Sequence, residues 1–212
     1  MAILLVYFLT LIIALSFILS YDKTGINVYL NQLVGNPIGD AFFFYITYFG
    51  DGMVAAFLLA IILVYNVRLG IYAILSFLTS SMIATILKRV FFDDVNRPFY
   101  VYQWLEKDHP IKYVEGVDLY IMNSFPSGHA TQAFAIGMCL IFSFKNQWLK
   151  FFVLLIALLT SFSRVYLSQH WLVDITAGSL IGFTCSIIFY YLLIYHNKFE
   201  RLNRSLTSFN SA

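Results

Sequence analysis

The chain keeps returning to apolar runs long enough to cross a bilayer. Six occur, at about 2–20, 52–66, 70–92, 127–144, 149–166 and 171–195. A hydrocarbon core of about 30 Å is crossed by a helix of about 20 apolar residues. The expectation is an all-α fold: a polytopic membrane bundle of six transmembrane helices. Only 11% of the 212 residues are charged, against about 25% in soluble domains. No separate soluble domain fits, so residues 1–212 read as one membrane-embedded domain. Met1 to Tyr21 lacks a basic leader and a small-residue cleavage site and reads as a retained first span. The net charge of +2 is too small to suggest a nucleic-acid partner, and no basic cluster stands out. Cys139 and Cys185 lie inside apolar runs, give no zinc or redox spacing, and read as packing residues.

Between the runs, Asp22–Gly50 is mixed. It holds the turn signal Gly35-Asn36-Pro37 and then Phe42-Phe43-Phe44-Tyr45, and reads as an interfacial amphipathic segment. The loop from Asp93 to Phe125 is the longest polar stretch. The tail after Tyr195 is polar and expected to be mobile. Loop charge sets the orientation. The side holding the termini carries Arg68, Lys145, Lys150, Lys198, Arg201 and Arg204 against Glu200. Of 13 bases and 11 acids in all, seven bases and ten acids remain for the other side. Both termini are therefore expected in the cytoplasm, in a bacterial inner (plasma) membrane.

Three polar islands interrupt the apolar chain: Lys88–Pro98, Pro126–His129 and Ser163–Asp174. Charge in a membrane segment is costly and marks function. With six spans, all three islands fall at the outer face, toward periplasm or exterior. In the third, His170 and Asp174 are four residues apart and share a face if the last span is helical from about His170. A carboxylate there orients the imidazole, leaving its other nitrogen free to attack phosphorus. Arg164 offers a planar fork to phosphate oxygens. In the second island, Pro126 signals a helix start, whose backbone amides bind anions. Gly128 permits close approach, Ser127 adds a hydroxyl, and His129 can protonate a leaving oxygen. In the first, Pro98 pushes Arg97 out of helical geometry, and Lys88 and Arg97 can clamp phosphoryl charge. His109 reads as a solvated loop residue and His196 as an interfacial anchor. Asp93, Asp94, Glu106, Asp108, Glu115 and Asp118 read as a solvated acidic loop; no spacing supports a metal site.

The islands resemble the three signature motifs of the type 2 phosphatidic acid phosphatase superfamily of integral membrane lipid phosphatases. Pro-Ser-Gly-His is complete at 126–129, and Ser-Arg-x5-His-x3-Asp is complete at 163–174. The resemblance implies that His170 is the nucleophile of a phosphohistidine, that Asp174 orients it, and that His129 is the general acid. It implies that Lys88, Arg97, Ser127, Gly128 and Arg164 hold the phosphate, with no metal and no cofactor. The first motif departs from Lys-x6-Arg-Pro: Val90 stands at the lysine position and Lys88 lies two residues earlier. Either the loop Phe92–Asn96 bulges and leaves Lys88 on the phosphate, or Arg89 takes the role. The two point about 100° apart on a helix, and Lys88 is the expectation.

The function implied is hydrolysis of a lipid phosphate or diphosphate. Undecaprenyl diphosphate, phosphatidylglycerol phosphate, phosphatidic acid and lipid A phosphate are candidates. The alternatives are a lipid phosphotransferase using the same intermediate and a membrane transporter. A transporter would place its ionisable groups near mid-depth in repeated halves, whereas here they gather at one face and no repeat appears.

Overall fold

The structure is a computed structural model and describes residues 2–105, 111–195 and 199–206. Glu106, Asp108, His109 and His196, and the expectations for them, lie outside the described residues. Helices α1 Ala2–Ser20, α2 Lys23–Asn31, α3 Pro37–Ile46, α4 Gly52–Tyr65 and α5 Val67–Ile86 come first. The short α6 Pro98–Tyr100, then α7 Gly128–Ser143, α8 Gln147–Tyr166 and α9 Leu172–Phe189 follow. No strand occurs among the described residues.

Helix starts follow short polar side chains. Asp22, Asn36, Asp51, Asn66, Ser127 and Asn146 each accept a first-turn amide, satisfying donors that a helix start otherwise leaves open. Pro37 occupies the first turn of α3, where its missing N–H costs nothing. Among the described residues four helical runs are long and apolar enough to cross a membrane: Ala2–Ser20, Val67–Phe91, Gln147–Tyr166 and Leu172–Tyr195. Helix α7 has only 16 residues, and ten of them are buried. It is the centre of the bundle and meets protein rather than lipid.

α9 crosses α7 at a pair of glycines one turn apart. A Cβ on Gly178 would lie 2.6 Å from Ser127 O, and one on Gly182 would lie 2.4 Å from Thr131 O. Only glycine allows so close an approach, the small-residue packing that joins helices in lipid. This crossing sets the start of α9 beside the start of α7, and so brings the third polar island to the second. Deeper in the bundle, Tyr72 of α5 bonds Ser186 O and Oγ on α9 at 3.0 and 2.9 Å. Cys139 of α7 lies 3.4 Å from the same hydroxyl.

Three sequence expectations are corrected. The stretch Asp22–Gly50 is not one surface segment. Helix α3 and the 3-10 turn Thr47–Gly50 run into α4 with a bend of 57°. Of the aromatic run, Phe43 turns inward on α8, 4.3 Å from Tyr166 and 5.5 Å from Phe162 between ring centres, while Phe42 and Tyr45 stay exposed. The tail is tied down at 199–206, where Val67 N–H donates to Arg204 O at 3.0 Å and Asn66 Nδ2 to Asn203 Oδ1 at 2.7 Å. Arg68, expected as a loop charge, is buried. It donates to Leu193 O and Ile194 O at 2.7–2.9 Å, capping carbonyls at the end of the π-helical run Tyr190–Tyr195 that continues α9.

Candidate active site

The third island is the most deeply buried. His170 is 2% exposed, Asp174 0% and Arg164 8%, and Arg97 of the first island is 9% exposed. α9 begins at Leu172, not His170, so the histidine precedes the helix and Asp174 sits in its first turn. The pair meets across the helix start: His170 Nδ1 lies 3.2 Å from Asp174 Oδ2. The same oxygen accepts Trp171 N–H at 2.9 Å and the Ser124 hydroxyl. Asp174 O accepts Ser127 N–H at 3.0 Å. One aspartate thus caps α9, orients the imidazole and ties it to the second island.

On the other side of the ring, Arg97 Nη1 lies 3.4 Å from His170 Nε2. A guanidinium only donates and a carboxylate only accepts. His170 therefore carries its proton on Nδ1, toward Asp174, and presents the Nε2 lone pair to Arg97. Burial first, and then the charges of Arg97, Lys88, Arg164 and His129, hold its pKa well below the ordinary 6.5. A neutral imidazole with a lone pair facing a cation has the chemistry of a nucleophile toward an anion.

Arg97 leaves the helix as Pro98 requires, with extended backbone. It donates to Met122 O at 2.9 Å, Gln169 O at 3.1 Å and Asn123 O at 3.3 Å, and it stacks over Tyr120 at 5.3 Å. Arg164, in the last turn of α8, donates through Nη1 to Thr47 Oγ1 at 2.8 Å, while its Nε is buried without a partner. Ser127 is buried and caps α7 by accepting Ala130 N–H at 3.4 Å, which leaves its own proton to donate. Gly128 is the first residue of α7, and half-buried His129 follows it.

At the first island the last turn of α5 widens. Leu87–Phe91 is a π turn, closed by Phe92 N–H to Leu87 O at 2.9 Å. The wider turn and the following loop accommodate the two residues beyond the family spacing. Lys88 is half-buried and its charge acts on His170; Arg89 is exposed. Lys88, Arg97, Ser127, Gly128, His129, Arg164, His170 and Asp174 all come to one end of the bundle. The sequence reading missed Thr47, Ser124 and Gln169, which bond directly to these residues. Among the described residues no group of three His, Cys, Asp or Glu side chains gathers to ligate a metal.

The PAP2 superfamily model matches residues 69–198. An undecaprenyl-diphosphatase of Sulfolobus acidocaldarius is 28% identical over 187 residues, 85% of this chain and 84% of that protein. A lipid A 4'-phosphatase of Bacteroides thetaiotaomicron is 38% identical over 68 residues, 32% of this chain and 30% of that protein. The crystal structure of Aquifex aeolicus LpxE superposes with a TM-score of 0.66 at 27% identity, covering 80% of this chain and 94% of that one. The matched span holds every expected site residue and more than half of the chain, which belongs to the PAP2 superfamily of membrane lipid phosphatases.

Proposed function

We propose that the protein hydrolyses a lipid phosphate or diphosphate through a phosphohistidine on His170. The observation that carries this reading is the buried His170–Asp174 pair, with Nε2 of the imidazole facing Arg97 and the charges of Lys88 and Arg164 also acting on the ring. Nε2 attacks phosphorus while Asp174 stabilises the imidazolium that forms. The bond from phosphorus to the lipid oxygen breaks, and His129 gives that oxygen a proton. Water then attacks the phosphohistidine and returns its proton to His129, the phosphorus–nitrogen bond breaks, and inorganic phosphate leaves. Arg164, Arg97, Lys88, Ser127 and the Gly128 amide hold the phosphoryl oxygens. These steps use protein groups alone.

A lipid substrate is supported by the apolar side chains bordering the site. Tyr48, Phe49, Phe91, Ile121 and Met122 are exposed and adjoin Thr47, Gly50, Lys88 and the carbonyls that hold Arg97. The undecaprenyl-diphosphatase and lipid A 4'-phosphatase similarities favour a cell-envelope lipid. The proposed arrangement is one domain with six crossings in a bacterial inner membrane, termini cytoplasmic and site outward.

The test is phosphate release from detergent-solubilised undecaprenyl diphosphate, phosphatidylglycerol phosphate, phosphatidic acid and lipid A, with chelator present. Release from at least one lipid, absent in His170→Ala, is the expected outcome. Equal release by both proteins, release only when divalent metal is restored, or none from any of the lipids contradicts it.

A further inference from the structure

The grip proposed for Arg164 depends on what aims its guanidinium, and that hold comes from outside the three motifs. Thr160 and Arg164 stand one turn apart on α8 and share a face. Thr160 Oγ1 donates to Ile46 O at 3.3 Å, and Arg164 Nη1 donates to Thr47 Oγ1 at 2.8 Å. Two successive rungs thus fix the end of α3 to α8. The 3-10 turn that Thr47 opens closes at Gly50, and a Cβ there would lie 2.8 Å from His129 Cβ and 2.9 Å from His129 O. Four residues therefore abut both the arginine and the histidine. All of them precede residue 69, where the family match begins.

A guanidinium binds phosphate best by two parallel N–H groups. With Nη1 engaged on Thr47, the Nε–Nη2 edge is left, and Nε is buried with no protein partner. A buried donor is costly until a ligand satisfies it. A flexible side chain is also repelled here by the neighbouring cations Arg97 and Lys88, so an anchored one binds with less ordering to do.

We propose that Thr47 is a positioning residue for phosphate binding: through Nη1 it aims the Nε–Nη2 edge of Arg164 at the phosphate. This rests on the reading that Arg164 holds phosphate. The probe is inorganic phosphate, its Kd read from the rise in melting temperature of the detergent-solubilised protein with phosphate concentration. Thr47→Val keeps the shape and loses the hydroxyl, and is expected to weaken phosphate binding about tenfold. Thr47→Ser is expected to restore it. In an Arg164→Lys background, Thr47→Val is expected to add less than about twofold, because both changes remove one coupled interaction. If Thr47→Val does not fold, Thr47→Cys, close in size with a poor acceptor, takes its place under the same criteria. An unchanged Kd in Thr47→Val, or a full tenfold added in the Arg164→Lys background, overturns the positioning role alone. An unchanged Kd in Arg164→Lys, or no stabilisation of the unsubstituted protein by phosphate, overturns the phosphate reading beneath it.

Discussion

Arg164 at the end of α8 and Arg97 at the start of α6 both act on His170 but are held in opposite ways. Arg97 donates to backbone carbonyls from all three nitrogens, at Met122, Asn123 and Gln169, and the Nη1 that reaches Gln169 O also lies 3.4 Å from His170 Nε2. Arg164 has a single side-chain anchor at Thr47 and a buried Nε that no protein atom satisfies. One arginine therefore builds the wall of the site, joining the loop to the turn before α9. The other keeps an edge for a ligand. A motif gives both the same letter; in the proposed reading both hold phosphate, and their partners separate the arginine that also braces the backbone from the one that keeps an edge for the ligand.

The largest test of this contrast replaces each arginine by alanine. Arg164→Ala is expected to lower kcat/KM by about 10²–10³-fold, the usual loss for one transition-state donor. Its melting temperature should stay near that of the unsubstituted protein, since removing it also relieves repulsion from Arg97. Arg97→Ala strands three carbonyls, at about 1 kcal/mol each, and is expected to lower the melting temperature by about 5–10 °C as well as the activity. Equal melting temperatures for the two variants would break the comparison. The cation pair at the end of α5 sharpens it further. Lys88→Ala should lower kcat/KM by about 10–10²-fold, while Arg89→Ala, at an exposed site, should change it by less than about twofold. The reverse order would assign the first-motif role to Arg89.

Ser124 offers a smaller effect. It gives Asp174 Oδ2 a donor beside those of His170 and Trp171. Ser124→Ala is expected to cost about tenfold in kcat, roughly one hydrogen bond to a charged group. KM should change little, and Ser124→Thr should recover the rate.

The mildest effect is on pH. Burial and the surrounding cations hold His170 neutral well below pH 6.5, so the acid limb of kcat/KM belonging to the free enzyme's nucleophile should lie below that value. Linkage has a matching sign. As pH falls below about 6.5, the unfolded chain takes up a proton that the folded site refuses, and stability declines. An acid limb at 6.5 would contradict a His170 held neutral to lower pH.

Much of this was legible in the sequence, and the reasons are local. Apolar length marked the long helices, and Asp, Asn or Ser stood at most helix starts. The second and third motifs carry their chemistry within 4 and 12 consecutive residues. Thr47, Ser124 and Gln169 escaped because their bonds to Arg164, Asp174 and Arg97 span 117, 50 and 72 residues, and each is an ordinary polar residue in its own segment. Gly178 and Gly182 did carry a readable signal, two glycines one turn apart in an apolar helix, and that pair explains why the second and third islands meet. The first island's spacing was ambiguous because a π turn is invisible to a count made on helical geometry. Within the aromatic run at 42–45, periodicity could not say which ring leaves the surface: Phe43 packs on α8, while Phe42 and Tyr45 stay exposed.

The most direct measurement is acid-sensitive labelling of the enzyme. Purified protein is mixed briefly with a lipid phosphate carrying radiolabelled phosphorus, denatured in alkali, and mapped. Label is expected on a peptide containing His170, stable in base and lost in acid. It should be absent from His170→Ala and should accumulate in His129→Ala once a good leaving group replaces the lipid alcohol. Turnover without any base-stable label on that peptide, or label that persists in His170→Ala, would contradict a phosphohistidine at this position.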